Sequence, residues 1–301
     1  MWGGTDEDLS IKAIKAALDT GVSLIDTAPA YGMGRSEEIV GKAIEGRRDE
    51  VVLATKCRLV WHPQQGNHFF DNDDKPVHRH LGADSIRYEL EQSLKRLRTD
   101  YIDLYITHWQ DPTTPVAETM GTLMELKAEG KIRAIGVSNV SPDDLKSYVA
   151  EGPVDAIQEK YSMLDRDIED TLLPLCAEHG ISTLSYSSLA LGLLSGKIGP
   201  DRTFDGDDLR IGDPRFSPAN REKIASLFDE IRPIAKSLDA TLAQLVIAWT
   251  LSQPGITYSL CGARNPEQAS ENAVAGSLVL SPDQITKTGA AVDRYLKDMD
   301  A

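Results

Sequence analysis

The sequence predicts an α/β fold of the TIM-type (β/α)8 barrel class, formed by one domain over residues 1–301. Short apolar runs recur along the chain and alternate with segments of helical apolar spacing, which indicates a parallel sheet covered by helices. A single barrel can accommodate this length, although most domains are shorter. Hydrophobic residues make up 41% of the chain, which is enough for a sizeable core.

Seven apolar runs are predicted to be buried strands, whereas a closed barrel needs eight. The predicted strands are 22–26, 51–55, 102–107, 133–137, 154–158, 181–185 and 256–261. The predicted helices are 6–20, 36–45, 84–98, 116–129, 142–150, 167–179, 220–238, 241–252, 266–275 and 282–297. Residues 58–82 and 187–218 are predicted to be long loops that shape a site at the barrel mouth.

Two serines indicate where helices begin, and the absence of one glycine argues against a competing fold. Ser36 and Ser141 are predicted to be N-caps of the helices that follow them. A doubly wound sheet is the competing architecture, and its dinucleotide motif is G-x-G-x-x-G after the first strand. Gly32 and Gly34 fit the first two glycines, but Glu37 stands where the third belongs, so the barrel is favoured.

Composition and charge disfavour several classes of function. The formal net charge of −15 makes duplex nucleic acid an improbable partner. The three cysteines are far apart without CxxC spacing, and the histidines of 58–82 lack the spacing of metal ligands, so neither disulfides nor a metal site is expected. No apolar run reaches about 18 residues and the first residues do not resemble a signal peptide, so a cytoplasmic protein without a membrane partner is expected.

Four residues that could carry chemistry lie just past predicted strands. Asp26 and Tyr31 follow the first strand, Lys56 the second and His108 the third. The C-terminal ends of barrel strands open onto the active site, so these side chains are predicted to meet there. Together they suit proton transfer to a carbonyl oxygen during its reduction. Taken singly, each could instead be structural, as a helix cap, a packed loop tyrosine or a solvated lysine.

Five segments in the correct order resemble the aldo-keto reductase family. They are 24–32 (LIDTAPAYG), 54–56 (ATK), 100–109 (DYIDLYITHW), 130–139 (GKIRAIGVSN) and 262–272 (GARNPEQASEN). The resemblance implies a reversible NADPH-dependent reduction of an aldehyde or ketone. It also implies that Tyr31 is the general acid, assisted by Lys56, Asp26 and His108. A free phenol has a pKa of ~10, and a nearby ammonium group favours its ionised form.

The same resemblance implies a set of residues that bind NADP(H). The set comprises Ser138, Asn139, Gln158, Tyr186, Ser187, Leu189, Gly192, Lys197, Gly262, Arg264, Gln268, Glu271 and Asn272. Arg264 precedes a predicted helix, where a guanidinium group and backbone N–H groups suit a phosphate monoester. The resemblance assigns it to the 2′-phosphate of NADP. Tyr186 could instead be a core aromatic, Lys197 a solvated lysine, and Glu271 either an adenine ligand or a surface acid.

The sequence indicates fewer residues for the substrate pocket than for the cofactor site. Trp61, His62 and Trp109 are candidates for the pocket wall, and Trp109 has the strongest case because it follows His108. The expected partner is a small carbonyl or alcohol, and the sequence does not indicate an oligomeric state. Some members of the family are cofactor-bound regulatory subunits, such as potassium-channel β subunits, and a truncated inactive relative is a third alternative.

The strand count leads to a specific structural expectation. The first match to the family falls at Trp2, so by resemblance the strand that ends at Asp26 is the family's second strand. The N-terminal hairpin and first strand of the family are therefore expected to be missing from this chain. A gap between the strands at 22–26 and 256–261, with exposed strand edges, is predicted.

Overall fold

The computed structural model describes residues 6–61, 66–72, 75–199, 201–206, 208–297 and 299. Its helices are α1 (Glu7–Asp19), α2 (Arg35–Ala43), α3 (Ala83–Leu97), α4 (Val116–Ala128), α5 (Pro142–Glu151), α6 (Leu172–His179), α7 (Pro218–Ser237), α8 (Leu242–Leu251), α9 (Pro266–Val274) and α10 (Pro282–Leu296). Its strands are β1 (Leu24–Asp26), β2 (Val52–Cys57), β3 (Leu59–Val60), β4 (Asn67–Asn72), β5 (Lys75–Arg79), β6 (Ile102–Thr107), β7 (Ile132–Ser138), β8 (Ala156–Lys160), β9 (Ser182–Tyr186) and β10 (Tyr258–Ser259). Short 3₁₀ helices lie at Arg48–Glu50, Ala190–Ser195, Pro214–Phe216 and Ala275–Ser277.

The principal sheet has seven strands in the order β1-β2-β6-β7-β8-β9-β10. This order follows the chain, as in an α/β barrel, whereas a doubly wound sheet reverses its strand order near the middle. The predicted barrel-type fold with seven strands is therefore confirmed. β1 and β10 stand at the two ends of this order, and no pairing joins them among the described residues. That a gap separates them stays a prediction.

The strand register brings the ends of several strands level with one another. Asp26 of β1 lies opposite Ala54 of β2. On the other side of β2, Cys57 lies opposite Thr107, the residue before His108. Polar side chains that terminate these parallel strands consequently project at the same edge of the sheet.

The region 58–82 is not the structureless loop that the sequence predicted. It contains a second, three-stranded sheet in the order β3-β5-β4, and its strands pair in antiparallel fashion. The aromatic and β-branched residues of β4 and β5 favour strands, but His and Asp residues between them obscure the alternation of polar and apolar side chains. A register irregularity between His68 and Phe70 disturbs the two-residue period further.

Two other local predictions are wrong, and one is confirmed. Helix α2 begins at Arg35 after Gly34, which has φ = 95°, and Ser36 is inside the helix rather than at its cap. The Ser36 hydroxyl instead lies 2.9 Å from the Thr27 hydroxyl. The helix predicted from residue 167 begins only at Leu172, because residues 167–171 form turns. The N-cap at Ser141 is confirmed, with a reciprocal capping box.

The chain contains two compact units. One comprises residues 21–159 and 174–183 and includes β1, β2, β6 and β7. The other comprises residues 1–20, 160–173 and 184–301, and its apolar core packs α7, α8 and α10 around Trp249. No single helix in the described ranges is long and apolar enough to cross a membrane; α7 and α8 reach the required length and composition only together, bent by 86°. That residues 1–301 act as one domain stays a prediction.

Candidate active site

Lys56 is the centre of a buried polar cluster at the sheet edge. Its ammonium nitrogen lies 2.9 and 2.7 Å from the two carboxylate oxygens of Asp26 and 2.9 Å from the Thr27 carbonyl oxygen. The same nitrogen lies 3.4 Å from the Tyr31 hydroxyl. Lys56 itself is fully buried. The structure therefore brings three of the four predicted catalytic side chains into direct contact.

The ammonium group of Lys56 stays charged in this environment. Burial acts to lower the pKa of Lys56, but the charges of Asp26 and Tyr31 and their hydrogen bonds outweigh it, so the pKa of Lys56 is raised. Asp26 is held from a second direction, because the Gln158 side-chain amide donates a 2.8 Å hydrogen bond to its Oδ1. A fixed carboxylate thus holds a fixed cation against the Tyr31 phenol.

Tyr31 is positioned by the loop between β1 and α2. Its backbone N–H donates to the Ala28 carbonyl, and its own carbonyl accepts from Ser36. The loop closes through Gly34, where a Cβ atom would meet the Arg96 side chain at 2.8 Å, so only glycine fits the turn without displacing that arginine. The loop therefore presents the Tyr31 hydroxyl to Lys56 from a constrained backbone.

His108 lies against Tyr31 as a neutral ring. The two ring centroids are 5.9 Å apart in an edge-to-face arrangement, and His108 is buried. Burial lowers the pKa of His108 well below its usual range, and the nearby charges of Lys56 and Arg58 lower it further. A neutral imidazole can donate a hydrogen bond to a substrate oxygen without adding a positive charge.

Three of the predicted cofactor residues form part of the same network. Ser138 donates a 2.6 Å hydrogen bond to the Gln158 carbonyl, and the Asn139 amide donates to the Ser138 hydroxyl and to the His108 carbonyl at 3.0 and 2.8 Å. Asn139 adopts φ = 55°, a left-handed conformation that asparagine tolerates. Amide and hydroxyl groups of this kind fit a carboxamide ligand such as that of nicotinamide.

The predicted cofactor residues from Tyr186 to Lys197 belong to the other unit and lie at the end of β9 or after it. Tyr186 ends this strand and is half-buried, and Ser187 has φ = 60° at the start of the following turn. Leu189 precedes the 3₁₀ helix, which contains Gly192 at φ = 89°. Lys197 forms a 2.7 Å ion pair with Glu271, so neither side chain is simply solvated.

The remaining predicted cofactor residues surround the start of α9. Gln268 accepts a 2.9 Å hydrogen bond from the Arg264 backbone N–H, and Asn272 donates to the Gly262 carbonyl at 3.3 Å. Arg264 is exposed, and a Cβ atom built on Gly262 would meet nothing within 4 Å, so the backbone there is open to a ligand. These features fit an anionic group near the N-terminus of α9.

Two of the three residues predicted for the substrate wall are described by the structure, and one of them has an aromatic contact that the sequence did not indicate. Trp109 stacks on His108 with ring centroids 4.2 Å apart. Phe69 of β4 contacts Trp109 with centroids 5.8 Å apart, although 58–82 was predicted to be a loop. Trp61 is half-buried beyond β3, and His62 lies outside the described residues. The aromatic pair at 69–70 was the only sequence signal for this contact.

Arg58 was also missed as part of this site. It is fully buried at φ = 100°, and its guanidinium group donates a hydrogen bond to the Gln110 carbonyl. Burial lowers the pKa of Arg58 to about 9, and the charge of Arg79 contributes in the same direction. A buried cation in strained backbone is unusual, and here it supports the segment that carries His108 and Trp109.

One other group of polar residues lines a cavity away from the predicted site. A cavity of about 370 Å³ is lined by Glu38, Lys42, Lys95, Arg96 and Arg98, none of which is a predicted site residue. Within the described ranges, no three His, Cys, Asp or Glu side chains are grouped to hold a metal ion. The cluster around Lys56 therefore remains the candidate active site.

Comparisons with known proteins identify the family of the chain. The model of the Aldo/keto reductase family matches residues 1–293. The chain is 46% identical over 288 residues to the aldo-keto reductase YhdN of Bacillus subtilis (strain 168), covering 94% of this chain and 84% of the relative. It is 42% identical over 290 residues to the NADH-specific methylglyoxal reductase of Escherichia coli (strain K12), covering 95% and 88%.

A solved structure is also closely similar. The glycerol dehydrogenase AKR11B4 from Gluconobacter oxydans superposes with a TM-score of 0.90 at 37% identity, over 100% of this chain and 90% of that one. An aldo/keto reductase from Klebsiella pneumoniae, solved in complex with NADP and acetate, gives a TM-score of 0.73 at 30% identity, over 98% and 89%.

Proposed function

Since this chain belongs to the aldo/keto reductase family, we propose that it reduces an aldehyde or ketone with NADPH and that Tyr31 is the general acid. The observation that carries the proposal is the contact of the Tyr31 hydroxyl with the fully buried, Asp26-bound ammonium group of Lys56. This contact is the arrangement that proton donation by a phenol requires, because the phenolate left behind is negatively charged.

The chemistry divides between the cofactor and the side chains of the chain. A bound nicotinamide cofactor supplies the hydride that reaches the carbonyl carbon. Tyr31 gives its hydroxyl proton to the carbonyl oxygen, and the ammonium group of Lys56 stabilises the phenolate that forms. Asp26 keeps Lys56 in place, and neutral His108 donates a hydrogen bond that orients the substrate oxygen. The reverse sequence oxidises the alcohol.

Ser138, Asn139 and Gln158 are proposed to hold the nicotinamide carboxamide, because their amides and hydroxyl lie in the hydrogen-bond network of Asp26 and His108. Tyr186 is proposed to stack on the nicotinamide ring. The pyrophosphate and adenine contacts are proposed for the segments around Lys197 and α9, which the ion pair between Lys197 and Glu271 joins.

NADPH is proposed rather than NADH because Arg264 can pair with a 2′-phosphate. NADH is the alternative, and one specific observation favours it: Asp208 lies near enough for the charge of Arg264 to help Arg210 lower the pKa of Asp208. The negative charge of this carboxylate near Arg264 would repel the 2′-phosphate of NADPH. The similarity of this chain to an NADH-specific methylglyoxal reductase supports the same alternative. A cytoplasmic location and a small carbonyl partner are proposed with the activity.

A panel of carbonyls tests the proposal. The purified protein is mixed with NADPH or NADH and a series of aldehydes and ketones, and oxidation of the cofactor is followed by absorbance. Turnover with at least one carbonyl is expected, faster with NADPH. A bound cofactor that never exchanges would instead favour a regulatory subunit, and the absence of turnover with every carbonyl would contradict the proposed reduction.

A further inference from the structure

A continuous row of aromatic contacts extends from the candidate acid to the small sheet formed by β3, β4 and β5. The Tyr31 ring meets His108 at 5.9 Å, His108 meets Trp109 at 4.2 Å, and Trp109 meets Phe69 at 5.8 Å between centroids. All four residues belong to the compact unit that includes residues 21–159. The proposed catalytic chemistry uses only the first two rings.

Phe69 is held in this row although it is 36% exposed. The guanidinium group of Arg79 on β5 lies 3.9 Å from the centroid of its ring, and Phe70 contacts its edge at 5.3 Å. A cation–π contact and an edge-to-face contact together restrain an aromatic side chain that would otherwise be free in solvent. The restrained ring thus offers apolar surface next to Trp109 at little cost in conformational entropy.

The position of each ring in the row decides which substrates can touch it. Trp109 contacts His108 directly, so a carbonyl group bound near Tyr31 and His108 lies close to Trp109 whatever its size. Phe69 is one ring further from the acid, so only a substrate with an extended group reaches it. A planar aromatic group would gain most, because ring pairs prefer stacked or edge-to-face contact.

We propose that Phe69 is a specificity-determining residue and that the chain favours carbonyls that bear a planar aromatic group, which packs against Trp109 and Phe69. The inference rests on the proposed carbonyl reduction and adds the substrate class to it. Arg79 acts as a positioning residue, because its guanidinium group contacts the ring of Phe69.

Phenylglyoxal and methylglyoxal provide a matched test, because they carry the same dicarbonyl group and differ by phenyl against methyl. The parent protein should show a higher kcat/KM for phenylglyoxal. Phe69→Ala should lower the ratio of the two kcat/KM values by about five- to tenfold, the scale of one aromatic contact. The kcat/KM for methylglyoxal should stay within about twofold of the parent value.

Three further variants and one control variant separate recognition from misfolding. Phe69→Leu keeps apolar volume without the ring, so it should recover only part of the ratio, whereas Phe69→Tyr should keep most of it. Arg79→Met should lower the ratio by a smaller factor, about twofold. His68→Ala is the matched control, because His68 is next to Phe69 on β4 but contacts His78 and Asp71 instead of Trp109. It should leave the ratio unchanged.

The outcomes distinguish this inference from the proposed function. A parent protein that reduces neither compound nor any other carbonyl contradicts the proposed function. A parent that reduces both, with a ratio that Phe69→Ala does not alter or that His68→Ala alters equally, overturns the role of Phe69 while carbonyl reduction stands. A parent that prefers methylglyoxal overturns the aromatic substrate class.

Discussion

The strand-end site around Lys56 and the cofactor segments of residues 184–301 differ in how their predicted residues are held. Lys56, Ser138 and Gln158 are buried, and side-chain hydrogen bonds link them to one another or to Asp26. Arg264 and Lys197 are exposed side chains on loops. The first region is therefore held by buried contacts, whereas the second presents exposed side chains, one of which is paired at the surface with Glu271.

The difference has a direct energetic reason. A buried charge without a partner is costly, so the chain must supply Asp26 to Lys56 whether or not a substrate is present. An exposed cation costs little to leave in contact with water, so the chain is not forced to enclose Arg264 in a buried network as it encloses Lys56. Substitutions in the strand-end site should consequently affect catalysis and folding together, while those in the cofactor segments should affect binding alone.

The largest effect is expected for Lys56→Met. Turnover of carbonyls should fall by about 10²-fold or more, the scale of general acid catalysis. In alcohol oxidation, the basic limb of the pH–rate profile should move to higher pH, because no ammonium group stabilises the phenolate. An unchanged limb at the parent rate would remove Lys56 from the mechanism.

Folding must be separated from catalysis in this variant, because one partner of a buried pair has been removed and about 3–5 kcal/mol of stability is at risk. The double variant Asp26→Asn/Lys56→Met removes both charges and should regain stability without regaining turnover. Lys95→Met replaces a lysine of the same unit outside the cluster and serves as the control.

A somewhat smaller effect, on stability alone, is expected at Glu89 of α3. Burial raises the pKa of Glu89 to about 8, and its carboxylate accepts hydrogen bonds from the Arg58 backbone and the Ser85 hydroxyl. The pKa of Glu89 is higher in the folded state than in the unfolded state. The stability that its protonated carboxyl group contributes is therefore complete below pH ~4.5 and is lost as pH rises through about 8.

Glu89→Gln should therefore flatten the pH dependence of the free energy of unfolding. Relative to the variant, the parent should lose on the order of a few kcal/mol between about pH 5 and about pH 9. Denaturant titrations across that range measure the difference. Glu91→Gln, on the same helix but at the surface, should behave as the parent does; a parent and Glu89→Gln that change in parallel would refute the role of burial.

The smallest effect is expected at Arg264 in the cofactor segment. A charged hydrogen bond to phosphate contributes roughly 1.5–3 kcal/mol, so Arg264→Ala should weaken NADPH binding by about ten- to a hundredfold. NADH binding and the melting temperature should change little. Arg232→Ala, an exposed arginine on α7, is the control. Equal losses for both cofactors would mean that Arg264 has a structural role, and a parent that prefers NADH would contradict the NADPH assignment.

The sequence predicted buried strands well, but it did not predict contacts between distant residues or the small sheet. Buried strands such as β2 and β6 are continuous apolar runs, so Lys56 and His108 could be placed at their ends. The hydrogen bond from Gln158 to Asp26 joins residues 132 positions apart and depends on the register of several strands, which no local pattern encodes. The small sheet was missed because His and Asp residues interrupt its apolar alternation, and Phe69 was missed with it.

The start of helix α2 was also predicted wrongly, although the residues involved are close in sequence. Ser36 has the chemistry of an N-cap, but Gly34 adopts the left-handed turn that places Tyr31, and the helix starts one residue before Ser36. Loop geometry imposed by tertiary packing thus overrides a favourable local signal. The existence and order of the main strands are what a sequence of this type predicts most securely, whereas the ends of several strands differ from the prediction by one or two residues.

Turnover and cofactor binding measured on the same preparation of Tyr31→Phe test the central claim most directly. The substitution removes one hydroxyl group and keeps the ring that meets His108. Carbonyl reduction should fall by at least ~10²-fold, while the Kd for NADPH stays near the parent value and Tyr148→Phe, which removes another buried phenol of the same unit, keeps parent turnover. Reduction by Tyr31→Phe at the parent rate would show that Tyr31 is not the acid.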